Sequence, residues 1–110
     1  MPKSEYLLKQ QSIIAKWLTK WAGGRVRLWS YTVSHKTLVL RLTHPDRLGH
    51  LHVNCGDVTK VCCVSEWEDA DLAVEVSNVD ADDHEFRLFE RARDFYVICG
   101  VIEVTEHQKG

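Results

Sequence analysis

Two histidines one residue apart, in His50-Leu51-His52, are the sharpest chemical feature of this 110-residue chain. On a β-strand alternate side chains share a face, which puts the two imidazoles about 6–7 Å apart, a spacing that chelates zinc when a neighbouring strand adds a third ligand. His35, Asp57 and a cysteine of an adjacent strand are the candidates for that ligand. Neither a Cys-x-x-Cys pair nor a His-Glu-x-x-His segment accompanies them. The pattern therefore predicts exposed strand histidines, with no metal and no cofactor.

A second constellation surrounds the first. Arg25, Arg27, Trp29 and Tyr31 alternate with Val26 and Leu28, and with Arg41, His50, His52 and Asn54 they would share one face of a sheet. Aromatic and basic side chains interleaved on strands bind single-stranded nucleic acid or another anionic ligand, the rings stacking on bases while guanidinium groups meet phosphate. The same face serves equally as a subunit contact, because a monomer rarely leaves large aromatics wet. No glycine-and-aromatic motif of the RNA-binding kind is present, and the net charge is −2. The leading expectation is thus a non-catalytic interaction domain that self-associates into a homo-oligomer, with nucleic-acid binding as the alternative.

Catalysis by a zinc- or thiol-dependent enzyme comes third. Cys55, Cys62, Cys63 and Cys99 read as structural thiols, since Cys62 and Cys63 point to opposite faces of a strand and Cys99 precedes Gly100 in a strongly apolar run. Gly-x-Gly-x-x-Gly, Gly-x-x-x-x-Gly-Lys and Gly-x-Ser-x-Gly are all absent. No apolar core segment follows the basic N-terminus and no apolar run approaches the length of a membrane span, so a soluble, cytoplasmic protein is expected.

Charge is polarised along the chain. Residues 1–49 carry nine Lys and Arg against two acids, and residues 50–110 carry five against fourteen. Between Val61 and Phe86 there is no Lys or Arg, which predicts an acidic side able to meet a basic one within or between chains.

The elements that position these residues follow from periodicity. Ser4 caps a helix predicted over 4–22, ended by Gly23 and Gly24. Tyr6, Leu7, Ile13, Ile14, Trp17, Leu18 and Trp21 fall in one arc of roughly 140° opposite Lys9, Lys16 and Lys20, so the helix buries one face, with Leu8 outside it. From Arg25 the period changes to two. Strands are expected at 25–31, 37–43, 50–55, 58–65, 72–76 and 95–105, the last apolar on both faces as a central strand would be. Residues 84–94 fit strand and hairpin better than helix, although Asp82 and Glu85 have the spacing of a capping box. The fold class is α+β in a single domain over 1–110: one N-terminal amphipathic helix (4–22) packed on a twisted antiparallel sheet of about six strands (25–105).

Overall fold

A computed structural model describes residues 3–62, 65–78 and 84–108. Cys63, Asp80, Asp82 and Asp83 lie outside the described residues. The architecture is α+β, with helix α1 (Lys3–Lys20) at the N-terminus and antiparallel strands after it. The strands are β1 (Arg25–Thr32), β2 (Thr37–Thr43), β3 (His50–Gly56), β4 (Lys60–Cys62), β5 (Glu66–Trp67), β6 (Leu72–Ser77), β7 (Glu85–Glu90), β8 (Tyr96–Cys99) and β9 (Val101–His107). They form a five-stranded sheet in the order β5-β1-β2-β3-β9 and a four-stranded sheet in the order β4-β8-β7-β6.

This corrects the expectation of a single sheet of about six strands, and the reason is legible at Gly100. The run expected as one strand over 95–105 is two strands, β8 paired with β7 and β4, and β9 paired with β3. Before Gly100 the odd positions Phe95, Val97 and Cys99 are buried, and after it the even position Ile102 is buried with Val104 packed beside it. The change of parity made the segment look apolar on both faces. At the crossing, Gly100 N donates to Gly56 O at 3.0 Å. A Cβ at Gly100 would stand 3.0 Å from the Cβ of Asp57, so only glycine fits comfortably where the chain leaves one sheet for the other.

The inner faces close one core. Val26, Leu38, Leu40, Leu42, Leu51 and Val53 of the larger sheet meet Leu72, Val74, Phe86, Leu88 and Val97 of the smaller. Helix α1 does not lie flat on one sheet. It contacts β6 of one sheet and β9 of the other, covering the open side between them. Gln11 Oε1 accepts from Val76 N at 2.8 Å, which satisfies a strand-edge donor. Its buried stripe, Leu7, Ile14 and Leu18 continuing to Trp21, is narrower than the predicted arc, leaving Tyr6 53% and Ile13 40% exposed. Leu8 is exposed as expected.

The end of the helix is tied down by polar contacts. Lys20 Nζ and Trp21 Nε1 both donate to Glu106 Oε2, at 2.8 and 3.1 Å, and the Lys20 bond first and foremost holds the Glu106 carboxyl below its ordinary pKa. The ambiguous 84–94 segment is strand β7 and the turn that leads to β8. Glu90 at its end is buried, with Oε1 accepting from Trp67 Nε1 at 2.7 Å and Asp71 N at 2.8 Å, so that it fixes β5 against the core. No helix among the described residues is long and apolar enough to cross a membrane.

Trp21, 1% exposed, is the largest fully buried side chain, whereas Trp17 is only partly buried. Trp21→Ala is expected to cost about 3–5 kcal/mol in urea unfolding, and Trp17→Ala clearly less. A Trp21→Ala loss below about 1 kcal/mol would contradict the helix end as a core element.

Candidate functional site

Strand β3 sends Leu51, Val53 and Cys55 into the core and His50, His52 and Asn54 to the outer face of the five-stranded sheet. Strand β9 runs antiparallel beside it in a register that sets His107 opposite His50 and Thr105 opposite His52. Directly opposed residues share a face, so a third imidazole joins the two foreseen in the sequence. The ring centroids form a nearly equilateral triangle: 4.6 Å from His50 to His52, 4.7 Å from His50 to His107 and 4.8 Å from His52 to His107. One nitrogen of each ring lies within 4.8 Å of the other two.

The third histidine comes from neither of the expected places. His35 sits in the β1–β2 turn, Asp57 follows β3, and no cysteine among the described residues joins the group. Gly49 helps to fix His107. It has φ +79°, and a Cβ there would overlap the His107 carbonyl oxygen, so the chain before His50 approaches the end of β9 only because the residue is glycine.

Arg41 on β2 faces His52 across the strand pair, and its Nη2 lies 3.0 Å from His50 Nδ1. A guanidinium only donates, so Nδ1 accepts and the His50 proton belongs on Nε2. The same guanidinium stacks 4.2 Å from the centroid of the Trp29 ring, which is also 6.2 Å from His52. Trp29, Arg41, His50, His52 and His107 are thus one contiguous cluster on four strands. Asn54 lies further along the same face, where its Nδ2 donates to Glu103 O at 3.3 Å.

Tyr31 does not belong to it. The β1–β2 register slips between Leu28 and Ser30, making Trp29 a bulge residue. Beyond the bulge Ser30 opposes Val39 and Tyr31 opposes the buried Leu38, so Tyr31 passes to the other side of the sheet, 46% exposed. Arg25 and Arg27 remain on the outer face but are engaged. Arg25 pairs with Glu66 and Glu68, each at 3.1 Å, and Arg27 with Glu66 at 3.3 Å.

Two of the rings, His50 and His52, are held towards the neutral form. His50 is pushed below its ordinary pKa of 6.5 by burial, then by the Arg41 charge and by His107. His52 is lowered by burial, then by His50, His107 and Arg41. His52 Nε2 is buried without a hydrogen-bond partner among the described residues. Such an atom forgoes its hydration with nothing in return.

Among the described residues the thiols offer no comparable site. Cys55 and Cys99 are buried, and the Cys55 thiol is pushed up by its hydrogen bond with Cys99 and by burial, the reverse of an activated nucleophile. Cys62 Sγ donates to Asp94 O at 3.4 Å.

No family model, curated protein or solved structure matches the chain. The site therefore rests on its own geometry. Sequence reasoning found His50, His52, Trp29 and Arg41 but missed His107, whose only signal was its place at the end of the last apolar run. Which residue of that run opposes His50 depends on pairing between residues 45 to 57 positions apart in the chain, which local patterning does not encode.

Lowered histidine pKa values have a consequence for stability. The unfolded chain binds protons near pH 6.5 that the folded chain refuses, so stability is fully present above that pH and falls as acidification proceeds towards the lower folded values. Urea unfolding in EDTA-containing buffer is expected to show this loss beginning near pH 6.5, with a flatter profile in the His50→Gln/His52→Gln double variant. An unchanged slope in that variant would contradict the assignment.

Proposed function

We propose that the protein is a non-catalytic binding domain that assembles with a second copy of itself through the outer face of the five-stranded sheet. The observation that carries this reading is Trp29. A β-bulge lifts it to 49% exposure, while the Arg41 guanidinium packs on its ring at 4.2 Å, and Trp and Arg held rigid at the centre of a patch are the residues that dominate protein interfaces.

A second copy suits this face because the face carries both signs of charge. Arg25 and Arg27 stand beside Glu66 and Glu68 at one border, so the patch has no single sign of charge to repel a copy of itself. The same ion pairs weigh against nucleic acid. Two of the three arginines that would have met phosphate already face carboxylates, which repel it. The buried, unactivated Cys55 thiol likewise weighs against a thiol enzyme.

Sedimentation of the purified chain at micromolar concentration is expected to give a dimer or larger species, and Trp29→Glu a monomer with an unchanged circular dichroism spectrum, because an unpaired charge would be buried in the contact. A native monomer throughout would sink the proposal. Binding to oligonucleotides that weakens steeply with salt, with a slope reduced by about one in Arg27→Ala, would favour the nucleic-acid alternative instead.

A further inference from the structure

The histidine triangle offers more than an interface needs. Three imidazoles from two paired strands converge without a carboxylate among them, and one ring nitrogen, on His52, is buried with no partner among the described residues. In an interface such an atom is a liability; in a ligand set it is the lone pair that binds. We propose that His50, His52 and His107 form a binding site for a divalent first-row transition-metal ion, and that Arg41 must release His50 for the ion to enter.

The ligand chemistry selects the class of ion. Neutral imidazole suits Zn²⁺, Cu²⁺, Ni²⁺ and Co²⁺, whereas Mg²⁺ and Ca²⁺ require the oxygen ligands that this cluster lacks. Metal–nitrogen bonds of about 2.0–2.1 Å in a tetrahedron separate the nitrogens by roughly 3.3 Å. The observed spread, no more than 4.8 Å, exceeds that value by about 1.5 Å at most, a difference within the reach of histidine side-chain rotations. Three protein ligands leave the fourth position to water.

Arg41 and the ion exclude one another on either nitrogen of His50. If the metal takes Nδ1, it takes the lone pair that now accepts from Arg41 Nη2 at 3.0 Å. If it takes Nε2, the ring proton must move to Nδ1, where it would face the guanidinium donor. In both cases the contact breaks, and the guanidinium charge opposes the incoming cation until it does. This competition, and the absence of a carboxylate behind the rings, sets an affinity on the order of micromolar rather than the far tighter binding of closed structural zinc sites.

The site deepens the reading of this face as a binding surface, but its test is separate from that of assembly. The full-length chain, freed of metal with EDTA and dialysed, is titrated with ZnCl₂ by calorimetry and with CoCl₂ by visible absorption. The expected result is one ion per chain, with the strong visible bands of four- or five-coordinate Co²⁺ rather than the faint ones of the hexaaqua ion. His52→Gln and His107→Gln should each weaken Zn²⁺ binding at least about tenfold, as loss of one ligand does, while His35→Gln and the Cys62→Ser/Cys63→Ser variant bind as the native chain does. Arg41→Met, which keeps an apolar stem against Trp29, should bind about tenfold more tightly. Unfolding curves establish that each variant is folded before it is titrated.

No binding at millimolar Zn²⁺, binding unchanged in His107→Gln, or binding abolished by the cysteine substitutions would overturn the site. Weaker binding in Arg41→Met would overturn the exclusion. Sedimentation beside the titrations keeps the two readings apart: a monomer that binds one ion preserves the metal site and defeats assembly, and a dimer that takes up no Zn²⁺ in the titration does the reverse.

Discussion

The bond from Gly100 N to Gly56 O at 3.0 Å marks the place where the last run of the chain leaves the four-stranded sheet and enters the five-stranded one. A lone backbone hydrogen bond contributes only about 1 kcal/mol, so the constraint is steric before it is energetic. With Gly100 against Asp57 and Gly56 beneath Val101, the backbone turns without side chains in the way, and the inward positions change from odd to even numbers. Both sheets share one core because one segment belongs to both. The placement of His107 depends on the same turn, since the register of β9 against β3 starts at Gly56 opposite Val101 and reaches His50 opposite His107 six residues later.

Much of this was legible in the chain. Helix α1 was readable from its period and from the glycines that end it, β2 and β3 from clean alternation, and β1 and β6 from alternation over part of their lengths, because a buried single face gives a local signal. The division into two sheets was not. A segment that changes parity half-way has the same composition as a strand covered on both sides, and only the pairing partners tell them apart. Tyr31 illustrates the same limit on a smaller scale. Strict alternation put it with Arg27 and Trp29, but one extra residue in β1 carries it across the sheet, and no residue type at Trp29 announces a bulge. Within the site, the residues of β3 and the Trp29–Arg41 pair were found by type and spacing, while His107 required the fold.

Part of the charge polarity along the sequence is met inside the molecule. Arg25 and Arg27 meet Glu66 and Glu68, Lys20 meets Glu106, and Arg91 meets Asp71 at 2.6 Å. Exposed pairs of this kind contribute from nothing to about 1 kcal/mol each, so they do little to hold the fold. Their effect is on what remains available. Arg41 has no carboxylate partner among the described ion pairs, and its charge falls on an aromatic ring and an imidazole instead.

Arg41 is therefore the side chain on which the two functional readings meet. Its contact with His50 anchors the guanidinium, and the anchored guanidinium supports the Trp29 ring that the proposed assembly uses. An ion held by the histidines would remove the anchor and leave Trp29 with a looser support. Ordering that support again on association would cost side-chain entropy, so metal loading would oppose the proposed assembly through this face. Linkage would make the effect mutual: a partner packed on Trp29 would hold Arg41 in place and keep the histidines from the metal to the same extent. Arg41 reaches both groups from one position, 3.0 Å to His50 and 4.2 Å to Trp29, so an ion that displaced it from His50 would also disturb its packing on Trp29.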